Sequence, residues 1–189
     1  MSDWIAAVTK ILLLCRANVC RSVMAQAMLS ARLAARGVAV PGASAGLLGG
    51  GRPPPPEVIS VMAARGIDVT GHRSRLATAD DLARADLVLG LAREHVRHAV
   101  VLLPAAWPRA FTLLELLRRG HQAGPRSPGE PLGDWLTRAA GDRGRRDLLG
   151  SSPADDVADP MGGPPHGYQA TAELLDQLTR HLVDLCLLS

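Results

Sequence analysis

Aromatic residues are scarce in this chain: Trp4, Trp107, Phe111, Trp135 and Tyr168 are the whole set. A core must therefore rest on Leu, Val, Ile and Ala. Lysine is rarer still, with Lys10 alone, so the positive charge is almost all arginine. The net charge is only +3, too small by itself to argue for a nucleic acid or a membrane as partner. The arginine-rich run at 141–146 lacks the aromatic or helical company of a nucleic-acid patch, and it reads as a solvated loop. Cysteines are few and odd in number, three in all, which excludes a disulfide framework. Free thiols suit a reducing cytoplasm, the expected location. The spacing of Cys15 and Cys20 would suit zinc, but no second Cys/His pair stands at ligand spacing, so no metal is expected. Long apolar runs are missing too. The N-terminus has no basic stretch ahead of an apolar one, and the run 11–14 stops at Cys15. Neither a signal peptide nor a membrane span is expected.

What is present is an ordinary balance of 47% hydrophobic and 21% charged residues. The length suits one domain with a full core, so 1–189 is read as a single domain. Residues 10–15 (KILLLC) form a short apolar run, as a buried parallel strand does. A helix follows, with Ala25, Met28, Leu29 and Leu33 at helical spacing, and Gly37 ends it. Residues 38–44 read as a second strand, which makes a βαβ unit and a right-handed crossover. The Gly/Pro stretch 46–56 is a loop. Then come a helix at 57–65, a short helix at 78–85, a third strand at 86–90 and a helix at 92–102. A short fourth strand is expected at 109–112, leading into a helix to 119. Residues 120–153 read as an irregular, insertion-like stretch, with a helical turn or two at 134–140. An amphipathic helix at 168–187 closes the chain, with Leu174, Leu175, Leu178, Leu182 and Leu185 on one face. The expected fold is α/β, a three-layer sandwich with a central parallel four-stranded sheet flanked by helices.

Chemistry concentrates in residues 15–22, CRANVCRS. Cys15 ends the first strand, and in an open parallel sheet ligands bind beyond the strands' carboxyl ends. The turn from strand to helix aims the amides of Arg16, Ala17, Asn18, Val19 and Cys20 at a common centre, together with the N-terminus of the next helix. That is a phosphate-sized anion site made of backbone dipoles. Arg21 adds a planar fork of donors for two phosphate oxygens. The same field favours the thiolate of Cys15, a nucleophile. Ser22 can donate to that sulfur, and Asn18 tolerates a left-handed backbone. Cys-x5-Arg alone is a weak pattern. The preceding strand, the following helix, Asn18 and Ser22 make it specific. Cys20 reads equally well as a redox guard of Cys15 and as a small buried hydrophobe. Cleavage of a phosphate ester also needs an acid for the leaving oxygen. Asp159, held extended before Pro160, is a candidate. An acidic surface turn fits the same residues, and the motif alone leaves both open.

Taken in order, these segments resemble the low-molecular-weight protein-tyrosine phosphatase family. The resemblance rests on Cys15, Asn18, Cys20, Arg21 and Ser22, then Ser44-Ala45-Gly46, Gly66-Ile67-Asp68, His72-Arg73-Ser74-Arg75, Asp86-Leu87-Val88 and Asp159-Pro160. It implies that Cys15 is the nucleophile and forms a phosphocysteine. It implies that Arg21 binds phosphate and that Asp159 is the acid, later activating water. Ser22 then assists the thiolate, Asn18 and Ser44 brace the loop, and His72 stands near that brace. The implied activity is hydrolysis of phosphate monoesters, with protein phosphotyrosine foremost, without a cofactor. The implied partner is a phosphoprotein or a small phosphate ester, with neither nucleic acid nor membrane. Departures sit at the mouth. Arg16 replaces a small or apolar residue and Ala17 a usual Gly, while Val23 and Gln26 stand for a frequent Pro and Glu. Leu47, Leu48 and Met161 occupy positions of possible ring contacts, so phosphoarginine and small esters stay open beside tyrosine. Two competing readings are an arsenate reductase of the same fold, which needs further cysteines, and a non-catalytic phospho-ligand sensor.

Overall fold

The computed structural model describes residues 10–38 and 42–187. The N-terminal segment, read above as free of a signal peptide, and residues 39–41 of the expected second strand lie outside the described residues.

Four strands form one parallel sheet in the order β2-β1-β3-β4. They are β1 (Ile11–Cys15), β2 (Gly42–Gly46), β3 (Leu87–Gly90) and β4 (Ala110–Thr112). Every residue of β1 is buried, as expected of a strand covered on both faces. Its side chains alternate between two apolar clusters. Ile11, Leu13 and Cys15 join the cluster that includes Met28, Leu29, Leu175 and Leu182. Leu12 and Leu14 join the one built from Leu82, Val88, Val96 and Ala99. The expected three-layer α/β sandwich follows: α1 (Arg21–Ala34), α2 (Pro56–Ala63), α5 (Leu113–Ala123), α6 (Leu132–Ala140) and α7 (Pro165–Leu182) on one side, α3 (Ala79–Ala83) and α4 (Arg93–Leu102) on the other.

The described β2 runs past the expected end at Ser44, to Gly46. Gly, Ala and Ser have little strand preference, yet Gly42-Ala43-Ser44-Ala45-Gly46 pairs with all of β1. Small residues are needed there. A Cβ on Gly42 would lie 2.8 Å from Ser30 Oγ, and one on Gly46 would lie 2.9 Å from the amide of Asn18. The register sets Cys15 beside Gly46 and Leu14 beside Gly90. The carboxyl ends of the strands thus finish level.

The stretch 120–153 is more ordered than its composition indicates. It contains the end of α5, all of α6 and a 3-10 turn at Arg145–Leu148. Trp135 of α6 is fully buried, and its Nε1 donates to Gly124 O at 3.0 Å. A Cβ on Gly120 would strike Leu185 and Trp135, so a glycine in the last turn of α5 lets α5, α6 and the π-helical turn Val183–Leu187 close together. The run 141–146 is not simply a solvated loop. Arg143 turns inward, donates to Glu115 Oε1 at 2.6 Å and stacks 3.8 Å above Trp107 and 4.1 Å from Phe111. Buried Glu115, which also caps α5 through Thr112, requires a cation. Leu175, Leu178, Leu182 and Leu185 are buried as expected, while Leu174 is partly so. None of the described helices is long and apolar enough to cross a membrane.

Candidate functional site

The 15–22 loop begins where β1 runs out of sheet and ends in the first turn of α1. Asn18 is the one non-glycine among the described residues with a positive φ, 52°, a conformation that Asn tolerates better than most residues. Its side chain is fully buried and every polar atom is used. The amide of Arg75 donates to Oδ1 at 3.0 Å. Because a backbone N–H can only donate, Oδ1 must be the acceptor, and Nδ2 is the group that faces two hydroxyls. It donates to Ser22 Oγ and Ser44 Oγ, both at 3.0 Å. His72 Nε2 meets the Asn18 carbonyl at 2.8 Å. One residue thus ties the loop to β2 and to the 72–75 segment, and the braces expected at Ser44 and His72 are in place.

Ser22 Oγ also lies 3.0 Å from Cys15 Sγ. Having accepted from Asn18, the hydroxyl keeps its own proton free for the sulfur. Arg16 is fixed by its carbonyl, which accepts from Leu47 N at 2.8 Å and Leu48 N at 3.0 Å. Cys20 is buried, and its thiol is pushed up to about 12 by burial, then by the charges of Asp159 and Cys15. Cys186, in the π-helical turn after α7, is pushed to about 12 by burial as well.

Arg21 opens α1 and is 5% exposed. Its Nη1 donates to Val157 O at 2.9 Å and its Nη2 to Asp159 Oδ2 at 2.7 Å. Its Nε is buried and has no partner among the described residues. Of the cysteine, the arginine and the carboxyl singled out from sequence, Arg21 and Asp159 are in contact, and Cys15 touches Ser22, the residue after Arg21. Leu48 and Met161, each 44% exposed, stand on loops bonded to Arg16 and Asp159 respectively.

Several supporting residues carried no sequence signal. Asp155 and Asp156 are anchors, not acids at the site. Asp155 binds Arg93 and Arg118 at 2.7 and 2.8 Å. Burial opposes its charge, but the two guanidiniums prevail and hold its carboxyl below the ordinary range. Asp156 accepts from the amides of Arg93 and Ser152, and Val157 N donates to Leu91 O. Tyr168 Oη, from α7, accepts from Gly162 N at 3.2 Å and so steadies the turn after Asp159. His95, in the first turn of α4, is fully buried, and neither ring nitrogen has a hydrogen bond within the described residues. Glu94 Oε1 approaches Nε2 at 3.4 Å without forming one. Burial, then the charges of Arg21 and Arg16, push His95 down to about 3. No group of three or more His, Cys, Asp or Glu among the described residues is arranged to hold a metal.

Residues 10–123 match the model of the family described as low molecular weight phosphotyrosine protein phosphatase. The chain is 40% identical over 106 residues to a probable low molecular weight protein-tyrosine-phosphatase EpsP of Ralstonia solanacearum, covering 56% of this chain and 71% of that protein. Among solved structures it resembles a low molecular weight protein tyrosine phosphatase from T. tengcongensis, with TM-score 0.69 and 29% identity over 93% of this chain and 98% of that one. It also resembles the YwlE arginine phosphatase from Geobacillus stearothermophilus, with TM-score 0.68 and 26% identity over 93% and 91% of the two chains.

Proposed function

This chain belongs to the low molecular weight phosphotyrosine protein phosphatase family and is a cysteine-dependent phosphatase; from that premise we propose that it hydrolyses phosphate monoesters, protein phosphotyrosine foremost, through a phosphocysteine on Cys15. The observation that carries the reading is the Ser22 hydroxyl 3.0 Å from the Cys15 sulfur, inside a loop that Asn18 holds rigid.

The phosphoryl group docks on the amides of residues 16–22 and on Arg21, whose free Nε is a ready donor. The Cys15 thiolate attacks phosphorus, and the bond to the leaving oxygen breaks. Asp159 gives that oxygen its proton. A water molecule, deprotonated by the Asp159 carboxylate, then attacks the phosphocysteine. The P–S bond breaks, phosphate leaves, and Ser22 stabilises the returning thiolate. Positioning and charge stabilisation supply most of the acceleration, as elsewhere in phosphoryl transfer.

Two observations favour this over the competing readings. An arsenate reductase needs a second reactive thiol, whereas Cys20 and Cys186 are buried and pushed to about 12. A phospho-ligand sensor has no need of a hydroxyl set 3.0 Å from the Cys15 sulfur, a contact that serves a leaving thiolate. The decisive assay is hydrolysis of an aryl phosphate at neutral and mildly acidic pH, with rapid quenching to capture a phosphorylated enzyme. Cys15→Ser should lose both turnover and the thiol-linked phosphate. Turnover that survives in Cys15→Ser would remove Cys15 as the nucleophile. A panel of phosphotyrosine and phosphoarginine peptides decides between tyrosine and the substrate named for the Geobacillus relative.

A further inference from the structure

The arginines of this chain are mostly engaged. Arg32, Arg75, Arg93, Arg118, Arg119, Arg138 and Arg143 bind carboxylates, and others such as Arg97 and Arg109 bind main-chain carbonyls. Arg16, Arg52, Arg145 and Arg146 have no such side-chain partner among the described residues. Of these only Arg16 belongs to the phosphate loop. It is exposed, and its backbone cannot drift because Leu47 N and Leu48 N both hold its carbonyl. Arg52 stands on a neighbouring rim segment, pinned through Ser74 on both sides of its peptide unit, one residue before the Arg75 amide that binds Asn18.

No carboxylate among the described residues is paired with Arg16: Asp159 is bound to Arg21 and Asp81 to Arg75. The charges of Arg21 and Arg16 both reach His95. Arg21 and the amides suffice for a phosphoryl group. Arg16 remains an unpaired fork of donors on an anchored stretch of the same loop, and such a fork matches a carboxylate.

We propose that Arg16 determines specificity: it selects phosphopeptides that carry a carboxylate side chain next to the phosphorylated residue. The proposal rests on the phosphatase reading above. The partner is an acidic peptide flank, and a pair at this exposure is worth up to about fivefold in affinity.

The test uses competition. Phosphotyrosine peptides with either two glutamates or two alanines flanking the phosphorylated residue are titrated against aryl phosphate hydrolysis. Each inhibition constant is thus read whether or not the peptide is cleaved. For the wild type the acidic peptide should bind about threefold to fivefold more tightly at low ionic strength, with the advantage fading in about 0.5 M salt. In Arg16→Gln the ratio should fall to about 1, and Arg16→Lys should keep part of it. Arg146→Gln, which removes the same charge elsewhere, should leave the ratio as in the wild type. Because the ratio is taken within each variant, any change in overall turnover cancels. A wild type that cleaves the aryl phosphate but shows no acidic preference overturns the role of Arg16 and leaves the phosphatase reading standing. So does an undiminished ratio in Arg16→Gln, or an equal loss in Arg146→Gln. Absence of Cys15-dependent turnover overturns both.

Discussion

Arg21 and Asp159, 138 positions apart in sequence, meet at 2.7 Å through Nη2 and Oδ2. The same guanidinium donates through Nη1 to the carbonyl of Val157. The first residue of α1 therefore grips the main chain of the 157–159 loop as well as the Asp159 carboxylate. In the proposed mechanism, binding of phosphate and placement of the proton donor are thereby coupled through one side chain.

Replacing the acid should separate substrates by leaving group. Asp159→Asn keeps a hydrogen-bonding partner for Arg21 but has no proton to give. Turnover of a poor leaving group, such as an unactivated phenol, should drop by about 10²- to 10⁴-fold. A dinitrophenyl ester, whose oxygen leaves without help, should lose far less. Equal losses for both esters would remove Asp159 from the acid's role.

Asn18 offers a second test, because it contributes a backbone conformation and a set of hydrogen bonds. Asn18→Gly retains the ease of φ 52° but leaves Ser22, Ser44 and the Arg75 amide without their partner. Asn18→Ala loses both. Each variant should be destabilised by about 1–3 kcal/mol through unmet buried polar groups, with Ala the worse of the two by about 1 kcal/mol for the left-handed backbone. Denaturant melts measure the difference. If Gly is as stable as the wild type, the hydrogen bonds carry no weight.

The pH dependence of stability should trace in part to His95. Folded, it stays neutral down to about 3. Unfolded, it takes up a proton near its reference value of about 6.5. Unfolding therefore binds a proton between those values, and stability declines with acid by at most about 1.4 kcal/mol per pH unit over that range. Asp155 acts in the same direction lower down, since its depressed carboxyl gives up its contribution only as the pH falls through its folded value. His95→Asn should flatten the decline between about pH 6.5 and 4. Urea midpoints at several pH values in both proteins would show it, and parallel curves would assign the effect to other groups.

The 141–146 run supplies a fourth case. With Arg143 sealed against Glu115 and two aromatic rings, Arg143→Met should cost about 3–5 kcal/mol because it strands a buried carboxylate. Arg143→Met combined with Glu115→Met should recover much of that loss. A solvated loop would give less than about 0.5 kcal/mol for the single change, as thermal or urea unfolding would reveal.

The strands β1, β3 and β4, the phosphate loop and the order of helices were legible because each rests on a local pattern: an apolar run, a glycine stop, a cysteine-to-arginine spacing. The end of β2 is not legible because Gly42-Ala43-Ser44-Ala45-Gly46 is made of small residues that suit close approach and have little strand preference. α6 is only partly legible because Pro131 and Gly133 mask its start, while the buried Trp135 that justifies it packs back on Gly120 and Gly124 of the preceding segment. Asp155, Asp156 and Tyr168 gave no signal for a similar reason. Arg93, which binds Asp155, stands 62 positions away, and no local spacing encodes such a pair. The local motif leaves the choice among three aspartates of one short loop open, and only Asp159 faces Arg21.

The Asn18 network also limits how far this catalytic loop can travel. Eight consecutive residues are enough to write its motif, but not to hold its shape. Ser44 on a neighbouring strand, Gly46 with no side chain to collide, and His72 and Arg75 from a separate segment are all part of its mould. Grafting 15–22 alone onto another parallel sheet would therefore move the letters without the conformation. A functional transplant would need three stretches of chain brought together in register.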